Sequence, residues 1–241
     1  GDADVVLEQL LGVLDDIGQR PWLDELGAAD RERRDGLAAD ADLDAQPIHP
    51  LRLLAELGEV LEPDAFVACD GGDILSFARQ ALRSTGPGGW LDSGPFGSLG
   101  YGIPSASAAK VASPERQCVA LVGDGAFGLQ AMELDTAARH GLGILVVIST
   151  NGAWAIETTS QEMEFGRAFG TTLERRPYHV LAESLGCDGV EVTDPGELAG
   201  VLSRAPRDRP LVVNVQTDPA AKSPDAVRGL GLVPREQAVK F

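Results

Sequence analysis

The chain has 241 residues, 44% of them hydrophobic and only 5% aromatic, with 29 glycines and a net charge of −17. That is enough apolar material for an α/β domain with extra segments, and the small-residue composition suits close helix-on-sheet packing rather than an all-β fold. The acidic balance argues against nucleic acid or an anionic membrane as a partner. It leaves local phosphate binding open, because backbone N–H groups and a metal ion can supply it.

Residues 1–48 hold 13 Asp/Glu and four Arg, a balance of −9, so more than half of the excess charge lies in this flank. Cys69, Cys118 and Cys187 show no Cys-x-x-Cys spacing. Reduced cysteines and a cytoplasmic location are expected, since neither a signal peptide nor an apolar run of membrane-spanning length stands out. The first residue is Gly, and the chain opens into a helical pattern, as a piece of a longer protein would.

Val5 to Ile17 has helical apolar spacing, with Asp2 and Asp4 as candidate caps. Arg20 to Asp44 reads as a broken helix leading into a linker, with Gly27 and Gly36 as the breaks. From Pro47 the texture changes. A helix to Leu61 with Pro50 in its first turn precedes a buried strand, Ala65–Cys69, a turn at Asp70–Asp73 and a helix from Ile74 to Leu82. Trp90–Leu91 is a short strand, Gly94–Tyr101 a Gly-rich turn and Ile103–Val111 a helix. Strand Gln117–Val122, helix Leu129–His140 and strand Ile144–Thr150 follow, then a loop merging into helix from Gly152 to Phe169. Helix Tyr178–Leu185, strand Gly189–Val192, helix Pro195–Ser203 and strand Leu211–Gln216 complete the pattern. This alternation predicts an α/β fold, a doubly wound parallel sheet flanked by helices, with ligands beyond the carboxyl ends of the strands.

One stretch concentrates the chemistry. An apolar strand ends in Gly123-Asp124-Gly125, a helix opens near Ala126, and a second apolar strand ends at Thr150-Asn151 after 24 intervening residues. Asp124 offers a carboxylate and Asn151 an amide oxygen, the hard donors that Mg²⁺ or Ca²⁺ prefer. Gly123 and Gly125 permit a tight turn and close backbone approach, and the helix start directs free N–H groups to the same place.

This arrangement resembles the thiamine diphosphate (ThDP) enzymes, whose signature is Gly-Asp-Gly, roughly two dozen residues and Asn-Asn. Thr150 stands where that family usually has the first Asn. The resemblance implies ThDP and Mg²⁺ as cofactors. Asp124, Asn151 and the carbonyl of Ala153 would coordinate Mg²⁺, while Gly123, Gly125, Ala126 and the neighbouring Trp154 would border the diphosphate. Phe96-Gly97-Ser98-Leu99-Gly100 resembles the segment that supports the bent cofactor, with Leu99 as the wedge between its rings and Gly97 supplying a carbonyl. Asp70-Gly71-Gly72-Asp73 resembles the first diphosphate-side loop, so Gly72, Asp73 and Ile74 would line the far end of the cofactor. A plain βα turn capped by Asp73 uses the same geometry.

The order of segments resembles the acetolactate synthase-like branch. It implies residues 1–27 as the end of a central domain, 28–46 as a linker, 47–220 as the diphosphate- and metal-binding domain, and 221–241 as a tail or the start of an active-site lid. Arg228, Arg235 and Lys240 of that tail would lie near coenzyme A phosphates. The pyrimidine-binding domain, which carries the activating Glu, would come from the same or a neighbouring subunit of a homodimer or homotetramer. Without it the chain would be inactive. The stretches around Trp90–Gly97, Gly123–Gly128 and Asn151–Glu157 look most like 2-hydroxyacyl-CoA lyases and oxalyl-CoA decarboxylases. They imply a carbon–carbon lyase that splits 2-hydroxyacyl-CoA to formyl-CoA and a ketone or aldehyde, with Glu157 moving protons on the substrate side. Acetolactate synthase-type chemistry on 2-keto acids and a non-catalytic scaffold subunit stay open as alternatives.

Overall fold

The computed structural model describes residues 1–14, 20–84 and 86–227. Two compact units divide it, residues 1–38 and the chain from 39 onward. In the first, α1 (Ala3–Leu11) starts at Asp2, whose carboxylate accepts from the Asp4 backbone N–H at 3.0 Å. Asp2 is therefore the cap, and Asp4 lies in the first turn. The Val6, Leu7, Leu10 and Leu11 side chains of α1 are exposed. The next helix, α2 (Arg20–Ala41), is continuous, not interrupted as the sequence suggested. Gly27 and Gly36 sit inside it. Good helix formers surround them, and Asp30 pairs with Arg33 and Arg34 at 2.7 and 2.8 Å, one turn away.

The second unit begins with α3 (Pro50–Val60), whose N-cap is His49, its Nδ1 accepting from Leu51 N–H at 3.3 Å. The remaining elements follow in order: β1 (Phe66–Asp70), α4 (Asp73–Ala81), β2 (Trp90–Leu91), α5 (Gly102–Ala112), β3 (Cys118–Gly123), α6 (Asp124–Gly128), α7 (Glu133–Arg139), β4 (Leu145–Thr150), α8 (Ala155–Phe165), α9 (Tyr178–Ser184), β5 (Asp188–Val192), α10 (Leu198–Leu202), β6 (Leu211–Gln216) and α11 (Pro224–Val227). The six strands form one all-parallel sheet in the order β2-β1-β3-β4-β6-β5, the α/β architecture expected. Among the described residues no helix is long and apolar enough to cross a membrane.

Both faces of the sheet are covered, so its central strands are apolar throughout instead of alternating. On one face Cys118, Ala120, Val122, Val146 and Ile148 pack with Ile103 and Ala106 of α5, Phe127 of α6 and Leu134 of α7. Helices α3, α4 and α10 pack together, burying Leu53, Leu54, Leu57, Phe77 and Leu198. Register sets Asp70 beside Val122, and Gly123 beside Ser149. The carboxyl ends of β1, β3 and β4 are therefore staggered by one residue each, within two residues of one another.

The turn after β3 depends on one side chain. Helix α6 spans five residues, too short to persist on its own propensity. Phe127 anchors it, fully buried and edge-on to Tyr178 with centroids 5.0 Å apart. Phe127→Ala is expected to lower unfolding stability by about 3–5 kcal/mol, read as a lower urea midpoint with an unchanged slope.

Candidate functional site

From β1 the chain winds outward through α4 to β2, then returns through α5 to β3 on the other side of β1. The winding direction reverses between β1 and β3, and the loops leaving these strands diverge to open a crevice there. A cavity of about 570 Å³ occupies this position. Its wall includes Gly72, Asp73 and Ile74 after β1, Gly97 and Leu99 before α5, and Gly123, Asp124, Gly125 and Ala126 after β3. Asn151, Ala153, Trp154 and Glu157 after β4 complete the set singled out in the sequence.

Asp124 is the first residue of α6, so the helix starts two residues earlier than expected. Its two carboxylate oxygens accept from Gly125 N–H at 3.0 Å and Gly152 N–H at 2.7 Å. Burial nevertheless outweighs these bonds and pushes its pKa from the usual 3.8 up to about 6. Asn151 Oδ1 accepts from Ala153 N–H at 3.0 Å. Neighbouring Thr150 turns away from the cavity, where its hydroxyl donates to Asn214 Oδ1 at 2.6 Å. Asn214 in turn donates to the Arg176 carbonyl at 3.2 Å, so the Thr at this position is satisfied inside the sheet.

The loop after Asn151 is pinned by backbone pairing. Leu173 N–H donates to Gly152 O at 2.7 Å and Trp154 N–H to Thr171 O at 2.8 Å. Gly152 has φ +75°, and a Cβ there would lie 3.1 Å from the Leu173 carbonyl oxygen, so a larger residue is strained there. Arg175 braces the same loop through Gln216 Oε1 at 3.0 Å and the Thr217 carbonyl at 2.8 Å. The Trp154 ring lies over Gly125, where a Cβ would come within 2.6 Å of it. Ile156 covers Gly72 in the same way at 3.0 Å. Glu157, exposed in the first turn of α8, stands at the cavity wall, and its position suits the helix start.

Gly72 takes the N-cap position of α4, and Asp73 is its first helical residue instead of its cap. Burial raises the Asp73 pKa, opposed by hydrogen bonds from the hydroxyl and backbone N–H of Ser223. Asp225 N–H donates to Ser76 Oγ at 3.0 Å, and Asp225 joins the cavity wall. The chain after β6 thus returns to the site before Arg228, Arg235 and Lys240, which lie outside the described residues.

Sequence reasoning missed Arg79, Ser149, Ile156 and Asp225 as wall residues. It also missed Asp70, whose fully buried carboxylate holds the loop before α5. The ionisable side chains at the wall are Asp73, Asp124, Glu157, Asp225 and Arg79, and Arg79 is paired with Asp92 at 3.0 Å. No three His, Cys, Asp or Glu side chains converge among the described residues. The protein therefore offers one buried carboxylate with amide and carbonyl oxygens, a partial set that suits a hard cation sharing its remaining sites with phosphate oxygens. Small residues at 72, 97, 123 and 125 leave backbone accessible at the same wall. The residues present fit a magnesium–diphosphate group.

Comparison with known proteins bears on this directly. Residues 70–215 match the family described as "Thiamine pyrophosphate enzyme, C-terminal TPP binding domain". The chain is 44% identical over 207 residues to "Acetolactate synthase large subunit IlvG" of Mycobacterium tuberculosis, covering 84% of this chain and 38% of that protein. It is 31% identical over 201 residues to human "2-hydroxyacyl-CoA lyase 2", covering 80% of this chain and 32% of the relative. "Sulfoacetaldehyde acetyltransferase" of Alcaligenes xylosoxydans xylosoxydans is 32% identical over 159 residues, 66% of this chain and 26% of that protein. The chain thus spans only about a third of the length of the curated relatives it matches. With a six-stranded parallel sheet, a crevice at its switch point and a match over residues 70–215, the chain belongs to the thiamine pyrophosphate enzymes and carries their C-terminal cofactor-binding domain.

Proposed function

We propose that this chain holds ThDP and Mg²⁺ for an enzyme that cleaves or forms the carbon–carbon bond of a 2-hydroxyacyl-CoA, giving formyl-CoA and a ketone or aldehyde. The observation that carries this reading is the convergence of Asp124, Asn151, Leu99 and Glu157 on one cavity. Asp124, Asn151 and the Ala153 carbonyl would hold Mg²⁺. Gly125 and Ala126 would face the diphosphate with backbone N–H groups, and Leu99 would support the bend of the cofactor. When bound, ThDP supplies the carbon nucleophile that the protein lacks. Trp154 and Ile156 give the cavity apolar cover that excludes water, and Glu157 would hold or move a proton at the substrate hydroxyl oxygen.

The missing pyrimidine-binding domain would come from the remainder of a longer polypeptide, in the same or a neighbouring subunit. A homodimer or homotetramer and a cytoplasmic location complete the proposal. Acetolactate synthase-type joining of 2-keto acids is the second reading, supported by the 44% identity to the mycobacterial relative. A non-catalytic scaffold subunit is disfavoured by the presence of both Asp124 and Asn151 at the cavity.

Full-length protein with ThDP and Mg²⁺ is expected to release formyl-CoA from a 2-hydroxyacyl-CoA; acetolactate from pyruvate instead would select the second reading. Glu157→Gln is expected to lower kcat by about a hundredfold while ThDP affinity holds, measured by steady-state kinetics and calorimetric titration. Asp124→Asn is expected to abolish Mg²⁺-dependent ThDP binding in the same titration.

The raised pKa of Asp124 adds a pH dependence. In the metal-free chain its stability contribution is present below 3.8 and lost as pH rises through about 6. A cation needs the charged form, so Mg²⁺ must displace a proton at low pH. Mg²⁺ affinity is expected to hold above pH 7 and to fall by roughly tenfold per unit well below pH 6, measured by titration at fixed ThDP.

A further inference from the structure

Asp70, the last residue of β1, is 0% exposed and takes no place at the cavity wall. One oxygen, Oδ2, accepts four N–H groups: Gly100 at 2.9 Å, Tyr101 at 2.8 Å, Gly102 at 3.0 Å and the Gln130 side-chain amide at 2.7 Å. Three are successive backbone donors at the start of α5, directly after Leu99. The fourth comes from the turn after α6, where Gln130 also donates to the Ala126 carbonyl at 3.2 Å and accepts from Ile103 N–H at 2.7 Å. Gly102 lets the carboxylate come this close, because a Cβ there would lie 2.9 Å from both Asp70 Cβ and Val122 Cγ1. The Tyr101 hydroxyl donates to the Cys69 carbonyl, binding the same loop to β1 a second time.

A single buried acceptor therefore joins the end of β1, the loop that carries Leu99 and the turn following the Gly-Asp-Gly helix. Hydrogen bonds to a charged acceptor are stronger and shorter than neutral ones, and four on one oxygen fix its donors in three dimensions. We propose that Asp70 is a positioning residue, one that sets Leu99 against the Gly123–Ala126 turn and thereby the alignment of the cofactor's reacting end. This rests on the ThDP reading of the cavity. None of these bonds is made to Asp124 or Asn151 themselves, so the larger effect is expected on turnover and the smaller on metal capture.

The test uses full-length protein with saturating ThDP, assayed with whichever substrate it turns over. Asp70→Ala is expected to lower kcat by roughly a hundredfold, as small misplacements of reacting groups do, with the Mg²⁺ half-saturation within about threefold of wild type. Asp70→Asn, whose amide oxygen accepts the same donors, recovers most of that loss. Gln130→Ala gives the same split at smaller size, and decides the matter if Asp70→Ala does not fold. Wild-type turnover in Asp70→Ala, equal losses in the Ala and Asn variants, a joint loss of turnover and Mg²⁺ response, or failure of both Asp70→Ala and Gln130→Ala to fold would each overturn the proposal. If the wild-type protein binds no ThDP, the reading of the cavity fails instead, and the two failures are told apart by that control.

Discussion

Every strand of the sheet runs the same way, so every loop that follows a strand emerges on one edge. The register leaves β1, β3 and β4 ending within two residues of one another, and the reversal of winding between β1 and β3 opens a gap among those loops. The site exists because of this constraint. Residues 85 positions apart, such as Gly72 and Glu157, need only follow their strands to meet. The tolerance is small. At Gly71, with φ +134°, a Cβ would sit 3.3 Å from the Gly123 backbone nitrogen, and the corresponding positions at Gly72 and Gly125 are filled by Ile156 and Trp154. Glycines make the crossing loops thin enough to share one edge.

How much of this was legible in the sequence depended on the range of the interactions. The strand–helix alternation from residue 47 and the Gly-Asp-Gly to Asn spacing are local patterns, and they placed the sheet and the cavity wall correctly. Asp70 was invisible because its four donors lie 30 to 60 positions away. In sequence it reads as one more polar residue in a turn, and only the backbone path into α5 shows what it holds. Arg79 and Asp225 were missed for the same reason, since nothing near them in sequence marks the cavity they border. The error at α2 had a different origin. Glycine was weighed as a breaker, while one-turn charge pairs and helix-forming neighbours outweigh its cost of about 1 kcal/mol.

The wall divides its labour by strand. The loops after β1 and β3 offer backbone and a single buried carboxylate, features that suit any reaction using the same cofactor. The segment after β4 is different, because Trp154, Ile156 and Glu157 there set the apolar cover and the one exposed acid. The chain is similar to relatives with distinct names, an acetolactate synthase and a 2-hydroxyacyl-CoA lyase among them. The proposed substrate preference resides in the segment after β4.

The ionisable groups at the wall have one further consequence. Among the described residues four carboxylates face the cavity against one guanidinium, and that guanidinium is already paired with Asp92. A bare diphosphate anion entering this space meets repulsion, whereas a divalent cation meets attraction, and each relieves the other's difficulty. On the proposed reading, metal and cofactor would therefore support each other's occupancy: whatever factor one adds to the affinity of its companion, it would receive back in equal measure. On the proposed reading, the acidity of this wall would favour the anion in the company of its counterion.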